Sequence, residues 1–227
     1  MILIISKDIF FKRIKSKLNT KSSKIIFISD KEKVNFQNIQ SINPKIIFVP
    51  HWSNLIPQKI IDSFLCIGFH SSPLPYGRGG SPIQNMIIRN FKKTKICAII
   101  LEKSLDTGKI VMKKDVSLQG NATEIYERIY IKILEMINLI IKMKKINGKK
   151  QVGKVMNFKR RNPIMSKTPK NKPISYLHNH IRMLSLNEKN FPKAFIDYGN
   201  IKIELYESNL NLKKNEILCK AKISLKK

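Results

Sequence analysis

The chain has 227 residues, 42% of them apolar, and sets 44 lysines and arginines against 15 acidic residues, a formal net charge of +29. That length allows a full hydrophobic core plus a small appendage, and the charge would suit an anionic partner; but the lysines are scattered through every segment beside many isoleucines and asparagines, the pattern of a solvated surface and not of a focused basic patch. Three cysteines, Cys66, Cys97 and Cys219, lie in apolar neighbourhoods without CxxC spacing, so neither a disulfide framework nor a metal site is expected and buried reduced thiols are the natural reading.

The opening run, 1–6 (MILIIS), is the first of five short apolar stretches; the others are 24–29, 45–50, 64–69 and 96–101. Each is rich in Ile, Val or Phe and bounded by polar residues, which predicts buried strands of a largely parallel sheet. Lys7 and Asp8 follow the first run too soon for a secretory leader, so a cytoplasmic location is expected. Phe10, Ile14 and Leu18 recur every four residues, as do Ile83, Ile87 and Phe91, and both intervals predict crossover helices. Strands alternating with helices argue for an α/β layered fold, in which ligands collect beyond the carboxyl ends of the strands. His51, His70 and the turn around Asp106 fall near such ends. Gly77, Gly79 and Gly80 follow a strand through a loop and lack the strand–turn–helix placement of a dinucleotide fingerprint, so NAD binding is not expected.

Asn121 and Glu124 form a capping-box signature that opens a helix running to about Ile146, with its apolar face on the sheet. Its run from Ile129 to Ile141 is interrupted by Lys132 and Glu135 and falls short of a membrane span. The following stretch is rich in Lys, Arg, Pro and Asn and reads as a linker. A short helix over 175–184 and alternating residues over 195–208 and 216–225 predict a small β-containing unit. The expected organisation is a domain over 1–150, a basic linker over 151–174 and a small α+β unit over 175–227. His178 and His180, one residue apart on a helix, point to different sides and read as structural or surface groups.

Two segments carry the chemistry: GFHSSPLPYGRGGSPIQNMI (68–87) and LDTGKIV (105–111). In the first, Pro73, Pro75 and Pro82 restrict the backbone while the glycines permit unusual turns, which suits the rigid wall of a ligand site. Together the segments resemble the formyltransferases that use N10-formyltetrahydrofolate. In that family an Asn-x-His triplet ends a buried strand, a Leu-Pro and Arg-Gly loop follows, and a Leu-Asp-x-Gly turn brings in a carboxylate; the Asn position is Gly68 in this chain. The resemblance covers most of 1–150 and, more thinly, 175–200, and implies a Rossmann-like catalytic domain.

Formyl transfer needs an attacking amine, a donor for the oxygen that gains charge and a route for the amine proton. The resemblance implies that His70 and Asp106 are the catalytic residues, His70 supporting the oxyanion and Asp106 accepting or relaying the proton, directly or through water. Gly68 has no side-chain amide, so Asn85, His51 and Ser72 are the candidates for a replacement donor. Arg78 and Gly79 in the loop, with Ile99, Leu101 and Lys103 before the Asp106 turn, are expected to line the folate site. In HWSNLIP (51–57), Trp52 is expected at the acceptor, because sugar N-formyltransferases often show a His–aromatic pair before the same Ile-Pro.

The acceptor expected first is a nucleotide-linked amino sugar used in surface glycan synthesis. The alternatives are methionyl-tRNA formylation, for which the charge speaks, a hydrolase releasing formate from the same folate, and, in a different class, a non-catalytic basic nucleic-acid-binding protein. No membrane partner is expected, and a homodimer through the small C-terminal unit is conceivable.

Overall fold

The computed structural model describes residues 1–7, 18, 24–186 and 192–226. The strands in chain order are β1 (Ile2–Ile5), β2 (Ile25–Ile28), β3 (Ile46–Val49), β4 (Cys66–His70), β5 (Tyr76–Gly79), β6 (Lys93–Ile100), β7 (Ile110–Ser117), β8 (Met156–Phe158), β9 (Ala194–Tyr198), β10 (Ile201–Asn211) and β11 (Glu216–Leu225). The α-helices are α1 (Phe36–Ile42), α2 (Gln58–Ser63), α3 (Pro82–Ile88), α4 (Ala122–Ile141) and α5 (Ile174–Arg182). All five apolar runs form strands, and the fold is α/β. The helix expected around Phe10 and Ile14 lies outside the described residues; Leu18, at its end, is buried.

The chain divides into two compact units. The first comprises Met1–Arg78, Lys95–Asp115 and Ile129–Asn157, and the second Gly79–Thr94, Val116–Arg128 and Phe158–Lys227. A six-stranded sheet has the order β2-β1-β3-β4-β6-β7. Its first four strands are parallel, with Leu3 opposite Ile26 on one side and Ile47 on the other, and Val49 opposite Gly68. Leu3, Ile5, Ile47 and Val49 join Ile39 of α1, Ile60 of α2 and Cys66 in one buried cluster. Each fully buried Ile or Leu contributes roughly 1.5–3 kcal/mol relative to exposure, which is why near-continuous apolar runs become central strands. Asn35 caps α1 by accepting from the Asn38 N–H at 2.9 Å.

β6 departs from the parallel expectation: it pairs antiparallel with β4, Ile67 opposite Ile100 and His70 opposite Cys97. The carboxyl end of β6 therefore lies beside the start of β4, not beside His70. The turn that follows must fold back along β4 to bring Asp106 to the histidine.

The capping box at the start of α4 forms as the sequence predicts, with the Asn121 N–H donating to Glu124 Oε2 at 2.8 Å and the Glu124 N–H to Asn121 Oδ1 at 3.1 Å. The helix ends at Ile141, earlier than expected, where Lys142, Lys144 and Lys145 interrupt the apolar stripe. The stretch 151–174 is not a free linker. β8 pairs with β5, Asn162 caps a 3-10 turn over Pro163–Ser166, and the side chain of Gln151 is built into the first unit. The C-terminal region forms helix α5 and an antiparallel sheet ordered β11-β10-β9. Cys66 and Cys97 are buried free thiols, but Cys219 is exposed, because β11 is exposed on both faces from Leu218 to Leu225.

Candidate active site

β4 ends in His70, which is 8% exposed. Beyond it Ser71 to Tyr76 form a tight loop, with a cis peptide at Leu74–Pro75, that returns as β5. This loop brings the Gly77 carbonyl back to the imidazole: His70 Nε2 lies 2.7 Å from Gly77 O. A carbonyl oxygen only accepts, so Nε2 carries a proton, and Nδ1 can donate to a carboxylate only in the doubly protonated ring. Gly77 has a positive φ of 84°, which only glycine adopts readily, and this conformation aims its carbonyl at the ring.

Asp106 meets that Nδ1 edge. Its Oδ2 is 3.4 Å from His70 Nδ1, and the two side chains are 13% and 9% exposed. Asp106 has φ +55°, a left-handed conformation that costs ordinary residues about 1–2 kcal/mol and that Asp tolerates better than most. Two residues on, a β-carbon at Gly108 would stand 1.7 Å from the Ile100 carbonyl oxygen, so the turn can lie on the end of β6 only with glycine there. The sequence pair His70 and Asp106, 36 positions apart, is thus one constellation in the first unit.

The turn is also held from outside. Gln151 Nε2 donates to Asp106 O at 2.8 Å and to Gly108 O at 2.9 Å. Its Oε1 accepts from Arg78 Nε at 3.1 Å and Nη2 at 2.7 Å. Gln151 has no local signal as a lone glutamine in a lysine-rich stretch, and its partners are contributed by segments 43 to 73 positions away. Arg78, expected at the folate, has two of its N–H groups committed to Gln151.

The candidates for a replacement donor are placed as follows. Ser72 is fully buried and donates to Gly77 O at 3.0 Å, so its single hydroxyl proton is committed. The Asn85 amide nitrogen, in the second unit, donates to the carbonyls of Gly80, Ser81 and Lys159 at 3.0–3.2 Å, and its oxygen accepts from Arg89 at 2.8 Å. It therefore ties the start of α3 to the Lys159 carbonyl and is not a donor awaiting a ligand. His51 follows β3 in the left-handed region, φ +50°, and its ring packs edge-on against Tyr130 at 5.5 Å. Burial, together with the charge of Lys7, lowers its pKa from 6.5 to about 4, so the ring is neutral near pH 7. Trp52, half-buried against the core, has an indole N–H shielded from solvent and without a hydrogen-bond partner.

Of the residues expected along the folate, Ile99 is buried in a cluster with Leu74, Cys97 and Ile110, and Leu101 packs against both apolar clusters of the first unit. Lys103 is exposed in the turn. Gly79 has φ +96° and leaves no room for a side chain against the Phe158 carbonyl, a structural reason for glycine that holds without a ligand. His178 contacts Ser208 at 3.0 Å and His180 Nε2 donates to Ser166 O at 3.1 Å; both are structural. A cavity of about 690 Å³ in the second unit is lined by Lys92, Glu124, His178 and Arg182 among others, and by none of the expected site residues. Among the described residues no helix is long and apolar enough to cross a membrane.

Comparison with known proteins places this geometry. The family model described as formyl transferase matches residues 7–138, and that described as methionyl-tRNA formyltransferase, C-terminal domain, matches residues 163–224. A curated methionyl-tRNA formyltransferase of Campylobacter jejuni (strain RM1221) is 32% identical over 123 residues, 53% of this chain and 40% of the relative. The chain thus spans less than half the length of that relative. The solved structure of a methionyl-tRNA formyltransferase from Clostridium thermocellum is 34% identical, covers both chains completely and superposes with a TM-score of 0.90. A 4-N formyltransferase from Francisella tularensis shares the fold, with a TM-score of 0.67 over 100% of this chain and 98% of that one at 16% identity. With the family model spanning more than half of its residues and the His70–Asp106 pair assembled at the end of β4, the chain belongs to the formyl transferase family.

Proposed function

We propose that this protein transfers a formyl group from N10-formyltetrahydrofolate to the primary amine of a nucleotide-linked amino sugar. The observation that carries the reaction class is the 3.4 Å approach of Asp106 Oδ2 to His70 Nδ1 on a ring whose other nitrogen is fixed by Gly77. A histidine–carboxylate pair lies at the end of β4, and Ile99 and Leu101 stand on the neighbouring strand and its end beside the earlier part of β4. The bound folate supplies the formyl carbon. To support the oxygen on which charge develops, the His70 Nε2–H must leave the Gly77 carbonyl, which Ser72 also bonds, and turn to that oxygen, where a comparable donor contributes roughly 100- to 1000-fold. Asp106 holds the imidazole by its Nδ1 edge and takes the proton released by the attacking amine.

For the acceptor, His51 and Trp52 lie just past β3, the strand that pairs with β4 in register Val49 to Gly68. They therefore belong to the same sheet end as His70. The indole N–H of Trp52 is buried without a partner, and a ligand could satisfy it only if the ring turned away from the core cluster it packs against. A second reading, methionyl-tRNA, is favoured by the 34% identity to the Clostridium thermocellum protein of that name along the full length of both chains.

The test is to incubate the purified protein with N10-formyltetrahydrofolate and a panel of nucleotide-linked amino sugars, with methionyl-charged and uncharged initiator tRNA alongside, and to follow tetrahydrofolate release. Release dependent on one amino sugar supports the proposal. Release only with methionyl-tRNA replaces the acceptor, and none with any acceptor overturns the assignment of the reaction.

A further inference from the structure

We infer that Gln151 is a positioning residue for the His70–Asp106 pair, closing a ring of contacts that fixes both imidazole nitrogens at once; the inference rests on the reading of those two residues as the working pair. From His70 Nε2 the ring runs to Gly77 O at 2.7 Å, through the adjoining peptide to Arg78, and from its guanidinium to Gln151 Oε1. From Gln151 Nε2 it runs to the carbonyls of Asp106 and Gly108, and from Asp106 Oδ2 back to His70 Nδ1. Every member lies in the first unit.

The chemistry of the position selects the residue. One end must accept two N–H groups from a guanidinium, and the other must donate to two carbonyls. A carboxamide offers both, a carboxylate has no donor and an ammonium has no acceptor. Asparagine has the right group one methylene short. The guanidinium polarises the carboxamide oxygen and so strengthens the amide N–H bonds on the far side.

Pinning both carbonyls that flank Thr107 fixes the segment in which Asp106 adopts its left-handed conformation. Besides Gln151, the turn has the close packing of Gly108 on Ile100, the Ile100 N–H bond to the Lys109 carbonyl at 2.9 Å and the Thr107 Oγ1 bond to the Ser104 carbonyl at 2.9 Å. These three are made to groups other than the Asp106 carbonyl. A displacement of about 1 Å in a reacting group can cost on the order of 100-fold in rate.

The first measurement needs no substrate. Imidazole 15N resonances of the chain's four histidines can be recorded at one fixed pH, with His70 assigned by substitution. Gln151→Met should move the His70 Nδ1 resonance in the same direction as Asp106→Asn does, with Nε2 less affected. A His70 Nδ1 resonance unchanged in Gln151→Met, while Asp106→Asn moves it, overturns the inference; if Asp106→Asn leaves it unmoved too, the pair itself is not formed and the inference falls with it.

The second measurement is turnover. Gln151→Met should lower kcat by roughly 10- to 100-fold with the folate KM within about threefold. Gln151→Met combined with Asp106→Asn should be no slower than Asp106→Asn within about twofold, since the glutamine acts only through the aspartate. Losses that multiply point to a merely structural glutamine and overturn the inference. Should Gln151→Met fail to fold, Gln151→Glu keeps the contact to Arg78, removes the donors and undergoes the same two tests.

Discussion

A β-carbon on Gly68 would stand 2.5 Å from Leu101 Cδ2: the two residues share one volume. Gly68 pairs with Ile99 across β4 and β6, and the Leu101 N–H donates to the Cys66 carbonyl at 2.8 Å, so Leu101 rises directly beside the bare glycine. The resemblance to the formyltransferases places an asparagine at this position. Here the leucine side chain, anchored in both apolar clusters, occupies the space that asparagine would need.

Restoring the family residue alone should therefore be harmful. Gly68→Asn requires the end of the Leu101 side chain to shift, an overpacking cost of at most about 1–3 kcal/mol, or on the order of 2–10 °C in melting temperature for a chain of this size. The double change Gly68→Asn with Leu101→Ala removes the clash but also the packing of Leu101 on its clusters, so it should be no less stable than Leu101→Ala alone and should exceed the single Gly68→Asn variant in turnover. Differential scanning fluorimetry and steady-state rates on the parent and three variants check this. A single Gly68→Asn variant as stable as the parent would show that Leu101 yields freely and would remove the argument.

His70→Ala and Asp106→Asn should each lower kcat by about 100-fold or more while the folate dissociation constant changes by less than about threefold. The proposed contacts exist in the transition state and are weak in the ground state, so the loss belongs in kcat. Equilibrium folate binding by fluorescence, beside turnover, separates the two quantities. Parallel losses of binding and rate would count against these roles.

The two halves of the site differ in how far the sequence discloses them. His70 and Asp106 stand in long local patterns, and β1 to β4 are contiguous apolar runs whose burial can be read without knowing their neighbours. The strand direction of β6 is not readable in this way, because a buried run of Ile, Cys and Ala looks the same whichever way it runs. β7 is also obscure as a strand: Lys113, Lys114 and Asp115 interrupt it, as an edge position permits. Gln151 is invisible for a stronger reason. Its role is defined entirely by Arg78, Asp106 and Gly108, which only the folded chain brings to it.

Asn85→Ala should destabilise the protein without a specific effect on chemistry. The amide satisfies carbonyls at the start of α3 and the carbonyl of Lys159, and Ser81, which precedes the helix, has φ +49° and gives no side-chain cap of its own. The Ser81 carbonyl keeps the Asn85 backbone N–H, so the loss falls on the part-buried Gly80 and the exposed Lys159 carbonyls and costs about 1 kcal/mol. Chemical denaturation should register that loss, while kcat corrected for the folded fraction stays within about twofold of the parent. A large fall in kcat at full folding would return Asn85 to the list of donors.

His51 predicts how stability varies with pH. Its folded-state pKa, about 4, lies below the 6.5 of an exposed imidazole, chiefly through burial and further through Lys7. Below pH 6.5 the unfolded chain therefore binds a proton that the folded chain refuses. Its contribution is fully present above pH 6.5, declines as pH falls through that value and levels off near pH 4, where the folded ring protonates as well. The depression corresponds to on the order of 3 kcal/mol at most, less to the extent that the half-buried ring is screened by solvent. Burial also lowers the pKa values of His178 and His180, so they act in the same direction and a residual slope will remain when His51 is removed. His51→Asn is the appropriate variant, because Asn tolerates the left-handed backbone at this position. Urea unfolding at pH 7 and pH 4.5 should show the parent losing about 1–3 kcal/mol more than the variant between the two conditions; equal losses would show that His51 is hydrated in the folded state.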